Sequence, residues 1–519
     1  MPPRSPGLQT TASAGATPRH APSKWTVLVI VGIGVFMCTL DSSIVNVSLP
    51  AIAGHFGVPV GAAVEWVIIA YLVVIAALLL TIGRLSDRVG HRALWQTGLV
   101  VFTAGSALCG AAPALGFLIG ARVLQGVGGA LLMAISPAML TSAFPPEERG
   151  RALGLNATIV ALGISAGPAL GGIITELASW RWIFYVNLPI GIAGVIATRL
   201  ALPSDHRTQR TRFDVPGAIL LGIGLAALTA GLSLGNEIGW GSPWVSGLLV
   251  AALMAVLLFM RRERRCEAPL LDRRLFRDRL FAWATVSLVL SFLAAFAVAF
   301  LLPFYFEQLR GDSPARTGLL LTPFALVVAV VAPISGRLAD RIGTRWLASA
   351  GLALLCLGLV CLARLDERTG LWGAIWPQLI AALGQGLFQS PNNSAIMGAA
   401  PADRRGVAAG MLATGRTMGQ AISVAIAGAV FGTLGAADAG RGLLQRPGDP
   451  ALSATFVHGY RAALLVCAAI AALGIVTSLL RGSEHRRRAV TVRETRSSRG
   501  CRRRTAWCSS RRTGTAGPR

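Results

Sequence analysis

Apolar runs of about 20 residues, separated by short polar turns, recur along the chain from residue 25 to residue 480. They lie near 25–48, 64–82, 93–113, 115–136, 152–174, 182–201, 214–235, 244–261, 281–305, 315–335, 346–363, 372–398, 406–434 and 458–480, which makes fourteen. A helix rises about 1.5 Å per residue, so a run of this length crosses the roughly 30 Å of hydrocarbon in a bilayer. Inside that hydrocarbon every backbone N–H and C=O must be satisfied within its own segment, which leaves helices as the spanning form. The chain therefore reads as an all-α polytopic membrane protein embedded in the lipid bilayer. Only 14% of its residues are charged, against about 25% in a soluble domain.

Arginine placement in the short loops sets the expected orientation. The loops after the second, fourth, sixth, eighth, tenth and twelfth runs carry Arg84, Arg88 and Arg92; Arg149 and Arg151; Arg207, Arg210 and Arg212; a dense series from Arg261 to Arg279; Arg337, Arg341 and Arg345; and Arg404 and Arg405. The loops after the first, third and seventh carry neither arginine nor lysine. Both termini are expected on the cytoplasmic side of the plasma membrane, which an even number of spans requires.

One charged stretch is written twice. Gly83-Arg84-Leu85-Ser86-Asp87-Arg88-Val89-Gly90-His91-Arg92 returns 253 positions later as Gly336-Arg337-Leu338-Ala339-Asp340-Arg341-Ile342-Gly343-Thr344-Arg345. Internal repeats of this kind mark secondary transporters. Gly83 lies 58 residues after the first run begins at Trp25, and Gly336 lies 55 residues after a run begins at Phe281, so the chain divides into two related halves. The expected domains are a disordered cytoplasmic arm (1–23), a six-helix bundle (24–201), a linker with two extra spans (202–265), an amphipathic cytoplasmic segment (266–280), a second six-helix bundle (281–480) and a disordered basic tail (481–519).

The net charge of +25 does not imply nucleic acid binding, because the arginines fall in short loops and the tail and no soluble domain remains to carry a binding fold. The only lysine is Lys24, so no phosphate-binding GxxxxGK[ST] loop exists and ATP hydrolysis in cis is excluded. Transport would run on an ion or solute gradient, or through an accessory subunit that the sequence does not identify. Gly163-Ile164-Ser165-Ala166-Gly167 and Gly231-Leu232-Ser233-Leu234-Gly235 match GxSxG, but both lie in apolar runs, where the strand-to-helix elbow of a hydrolase cannot form. No enzyme activity, cofactor or metal site is expected: the six histidines form no cluster, and the eight cysteines include no CxxC pair.

Costly polar residues inside the runs are the candidate transport residues. Asp41 is the acid placed most clearly within hydrocarbon, in Leu40-Asp41-Ser42-Ser43-Ile44-Val45-Asn46. Desolvation disfavours its charged form, which suits a group that takes and releases protons, and Asn46 lies close by to hydrogen-bond a ligand. The competing reading of Asp41 is a permanent pair with Arg122 or a carboxylate reaching the outer interface. Arg122 lies well inside the fourth run and must face a cavity or a partner. In the fifth run, Gly163 and Gly167 offer a small-residue face, and Pro168, followed by Gly171 and Gly172, bends the helix. Gly83 and Gly90, and Gly336 in the second copy, allow tight reversals. The charges Asp87, Arg88, Arg92, Asp340 and Arg341 suit a latch between two positions of the bundles.

These stretches together resemble the major facilitator superfamily, and within it the fourteen-span drug:proton antiporter family of multidrug and antibiotic efflux permeases. The doubled charged stretch is similar to the superfamily's loop 2–3 motif, and the Arg122 segment to its fourth-span motif. Gly163 to Gly172 resembles the antiporter motif GxxxGPxxGG. Leu40 to Pro50 and Trp180 to Gly191 resemble motifs of the fourteen-span branch. The resemblance implies the major facilitator fold, two six-helix bundles plus two inserted helices, working by alternating access. It also implies export of hydrophobic or cationic drugs in exchange for protons. In it Asp87 stabilises one access state, Arg122 couples to the proton, and Gly167 and Pro168 shape a seam against leak. His91 stands where the family has Arg or Lys, and the thirteenth run holds Arg416 but no acid. The alternatives are a dedicated exporter of a self-made metabolite, a small-solute importer, or a non-transporting receptor or scaffold.

Overall fold

A computed structural model describes residues 23–58, 62–145, 148–202, 215–265, 273–401 and 405–481. The expected arm and the basic tail beyond Arg481 lie outside the described residues, as do 266–272 of the expected amphipathic segment. The first half comprises α1 (Lys24–Phe56), α2 (Ala62–Val89), α3 (His91–Gly110), α4 (Leu115–Ala143), α5 (Arg149–Leu177), α6 (Trp182–Tyr185) and α7 (Asn187–Ala201). Two further helices follow, α8 (Val215–Glu237) and α9 (Pro243–Arg265), then the short α10 (Arg273–Phe276). The second half comprises α11 (Arg279–Phe304), α12 (Pro314–Ile342), α13 (Thr344–Leu362), α14 (Leu371–Ala399), α15 (Arg405–Thr433), α16 (Ala436–Gln445) and α17 (Pro450–Leu480). A single π turn, Tyr305–Leu309, extends α11.

Each of the fourteen apolar runs falls on a helix. Among the described residues ten helices are long and apolar enough to cross a membrane, or eleven counting α15 with α16, which bends away by 71°. Gly435, at φ +73°, makes that bend. The apolar stretches of α2 and α8 are shorter, Ala63–Leu79 and Ile219–Leu232.

Within the first half α3 packs on α4, α1 on α5 and α2 on α4; within the second α13 packs on α14, α12 on α14 and α11 on α15. Glycines set the closest of these approaches. A side chain at Gly105 of α3 would meet the backbone of Gln125 on α4 at 2.7 Å, and one at Gly34 of α1 would meet the Trp95 ring at 2.6 Å. α8 and α9 pack on each other, and α8 also lies against α2 and α15. Leu275 of α10 is buried beside Phe281, and Phe276 meets that ring edge-on at 5.4 Å.

The doubled charged stretch differs from the reversal expected at both its glycines. α2 runs helically through Gly83 to Val89, and α12 runs through Gly336 to Ile342. Only Gly90 and Gly343 turn the chain, at φ +99° and +89°, which favours glycine there. The side chains of Asp87, Arg88 and Asp340 are outside the described residues. Arg92 donates to the Arg199 carbonyl at the end of α7, 3.2 Å, and Arg341 is exposed.

The halves meet along two seams, α5 with α12 and α2 with α15. Both are tight at the end opposite the arginine-rich loops. Gly172 of α5 leaves no room for a side chain beside the Pro314 carbonyl of α12, and Gly318 leaves none beside the Pro168 carbonyl. Glu176 accepts the Ala315 N–H at 2.9 Å, capping the first turn of α12. In the other seam Gly428 of α15 lies against the buried carboxylate of Glu65 on α2. Leu319, Leu326, Val330 and Ile334 form an exposed apolar stripe along the length of α12.

Candidate functional site

The first bundle holds a buried polar cluster built on Asp41. Arg122 of α4 donates through Nη1 to Asp41 Oδ2 at 2.6 Å, and both side chains are at most 1% exposed. Gln125, one turn further along α4, donates to Asp41 Oδ1 at 2.8 Å and accepts from Arg122 at 2.7 Å. Asn187, the first residue of α7, donates to the same Oδ1 at 3.0 Å. Ser106 of α3 accepts from Gln125 at 3.2 Å and from Asn187 at 3.0 Å, and donates to the Phe184 carbonyl at 2.8 Å. Arg122 is held further by the Val67 carbonyl, 2.8 Å from Nε, and lies 4.1 Å from the centre of the Tyr71 ring.

Local sequence explains the assembly. Gly105 brings α3 against α4, so its neighbour Ser106 reaches Gln125. The break between α6 and α7 turns the Phe184 carbonyl inward to Ser106 and sets Asn187 at the head of a new helix. A guanidinium and a carboxylate removed from water are costly unless every partner position is met, and here the carboxylate accepts three donors. Nothing of Asp41 reaches solvent, since it is 0% exposed. Separating Asp41 from Arg122 would leave two charges unpaired in the interior, so the pair can move apart only at a high cost.

Asp41 and Arg122 are therefore brought together, as the competing reading of Asp41 held. Asn46 is not part of the cluster; it is buried, 4% exposed, and its Oδ1 has no partner. Gln125, Asn187 and Ser106 were missed as site residues. The fifth-run glycines do sit in a seam. Gly167 leaves no room for a side chain beside Ser43 of α1, a side chain at Gly171 would meet the Ile44 carbonyl at 2.8 Å, and Gly163 faces Thr39. Gly172 and Pro168 face α12 instead, so α5 is wedged between the two halves. No group of three or more potential metal ligands occurs among the described residues.

The comparisons with known proteins agree with this architecture. The sequence matches the Major Facilitator Superfamily over residues 31–218, 215–424 and 307–512. It is 37% identical to the riboflavin transporter RibZ of Clostridioides difficile (strain 630) over 409 residues, 79% of this chain and 88% of that one. It is 35% identical to the multidrug resistance protein Stp of Mycobacterium tuberculosis (strain ATCC 25618 / H37Rv) over 405 residues, 78% of this chain and 75% of that one. The fold is similar to that of a bacterial homologue of the human lysosomal transporter Spinster, crystallised inward-facing and unoccupied. The TM-score is 0.63 at 15% identity, with 90% of this chain and 98% of that chain covered. With its halves meeting along α2, α5, α12 and α15 and its matched length, the chain belongs to the major facilitator superfamily, in the drug:proton antiporter family.

Proposed function

We propose that the protein is a proton-driven exporter of hydrophobic drug-like or antibiotic molecules, in the plasma membrane with both termini cytoplasmic. The observation that carries this reading is the sealed Asp41–Arg122 pair in a chain with no site for ATP. A buried pair whose members separate only when one is neutralised is a proton-operated switch. A role for Asp41 as a cation receptor has less support, because both its carboxylate oxygens are occupied. With the arginine-rich end cytoplasmic, the tight contacts of the seams would face outward and substrate would be received from within the cell. The charges at 83–92 and 336–345 would bias the bundles between the two access states, and the α5 wedge would block leak.

The test is transport in proteoliposomes with an imposed pH gradient. Wild-type protein should move a fluorescent substrate against its gradient only when the proton gradient is present, and Asp41→Asn should not. Concentrative transport by Asp41→Asn equal to wild type would sink the coupling role. The riboflavin transporter among the relatives favours a second reading, transport of one metabolite; counterflow restricted to a single compound would select it.

A further inference from the structure

Arg416 is a charge inside a helix that the polar cluster does not use. It stands 11 positions past Arg405, the first residue of α15, about 17 Å along the helix axis. It is half-buried and, among the described residues, has no hydrogen bond or ion pair. An arginine at that depth needs either a protein partner or a polar space. No acid stands near it on the helices that pack on α15: Asp438 of α16 lies 22 positions on, beyond the bend at Gly435, and pairs with Arg441. α11, α14 and α17 carry no acid along their lengths, α2 carries none from Trp66 to Ser86, and α8 none from Val215 to Leu234.

The face on which Arg416 stands follows from the contacts of α15. Positions four apart share a helix face. Gly419 lies against the Val289 carbonyl of α11, and Phe431 stacks on Phe304, so the series Gly419, Ser423, Ala427, Phe431 is the α11 side; Ser423 and Ala427 are fully buried. Gly428 lies against Glu65 of α2, while Gly415 and Gly419 lie against α11; each step of four back from Gly428 turns the face by about 40°, so Gln420 and Arg416 swing away from α2 into the angle between α2 of one half and α11 of the other. Val424 is fully buried, whereas Gln420 and Arg416 are half-buried. Gln420 likewise has no hydrogen-bond partner. The seam is thus closed at Gly428 and opens at Gln420 and Arg416. α8 covers it from the side, with Gly222 3.1 Å from Ala77 of α2 for an added side chain.

The equivalent series on α5 gives the contrast. Gly172 and Pro168 touch α12, and further along stand Ile164 and Val160, where α15 has Gln420 and Arg416. The two seams close alike, but only one opens onto a free guanidinium and an amide.

We propose that Arg416, with Gln420, binds the negative group of the transported molecule. The substrate class is then hydrophobic molecules carrying one acidic group ionised at neutral pH, such as an aryl carboxylate. This rests on the exporter reading above and narrows its substrate. A guanidinium pairs with a carboxylate through two parallel hydrogen bonds, and the surrounding apolar walls strengthen that pairing.

The experiment uses purified full-length protein in a neutral detergent. Binding is followed by quenching of intrinsic tryptophan fluorescence for a panel of aryl scaffolds, each as carboxylic acid, methyl ester and primary amine. Wild type should bind the acid of at least one scaffold about tenfold more tightly than its ester. Arg416→Gln should lose that preference while its ester affinity stays unchanged, which also reports an intact fold, and Arg416→Lys should keep part of it. The proposal is overturned if no scaffold binds better as acid than as ester, if Arg416→Gln keeps the preference, or if only anionic lipid competes. Acid selectivity through Arg416 without proton-driven transport in liposomes would instead overturn the exporter reading and leave this one standing.

Discussion

At the residue scale the decisive feature is how completely Asp41 is satisfied. Removing one member of a buried pair leaves the other charged and unpaired, at a cost of about 3–5 kcal/mol. Arg122→Gln should therefore lower the thermal unfolding midpoint markedly, and the double variant Asp41→Asn/Arg122→Gln should recover much of the loss, yet neither should transport against a gradient. A double variant no more stable than the single one would mean that the pair does not hold the bundle together. Ser106→Ala removes the hydroxyl that accepts from both Gln125 and Asn187. With two buried amides left short of an acceptor, it should cost about 1–3 kcal/mol, read from the same melting curves. Asp41 and Arg122 were legible in the sequence because a charge within an apolar run demands an explanation. Gln125, Asn187 and Ser106 were not, because uncharged polar residues occur in helices for many reasons. Their convergence depends on Gly105 bringing α3 against α4 and on the break before Asn187.

At the scale of the element, glycines separate into those that meet another helix and those that meet nothing. Gly120 of α4 has open space around it, while Gly172 and Gly318 each face a carbonyl of the other half. Gly120→Ala should be silent. Gly172→Ala and Gly318→Ala should push α5 and α12 apart at the end opposite the arginine-rich loops. Labelling of a cysteine introduced at the exposed Leu177 neighbourhood, for example Ala178→Cys, by a membrane-impermeant reagent should then rise and transport should fall. Unchanged labelling and transport would deny these contacts a sealing role. Gly90→Ala and Gly343→Ala force a side chain into a positive φ, at about 1–3 kcal/mol each, measurable as reduced thermal stability. The helices themselves were plain from their apolar runs, but the reach of α2 through Gly83 was not, since a glycine among charges reads equally as a turn. The kinship of α5 and α15 was also missed: both begin Arg-Gly, run 29 residues and share glycines at Gly150/Gly406, Gly154/Gly410, Gly163/Gly419 and Gly172/Gly428, of which Gly172 and Gly428 each meet the other half.

At the scale of the whole molecule the closest contacts between the two halves, among the described residues, lie at one end and are made by backbone and small residues. A latch made of charges at the opposite end would act on the rate of opening rather than on the substrate. Asp87→Asn should slow the transport cycle while leaving equilibrium binding within about twofold; a large loss of affinity would place Asp87 in the binding path instead. The unpaired guanidinium of Arg416 has an electrical consequence. A carrier that sends a monoanion outward while one proton comes inward moves two positive charges inward per turnover, so an inside-negative membrane voltage drives it at about 2.3 kcal/mol per charge per 100 mV. Export of a neutral cargo for one proton moves a single charge, and export of a monovalent cation for one proton moves none. The slope of transport rate against voltage thus reads out the sign of the cargo before its structure is known.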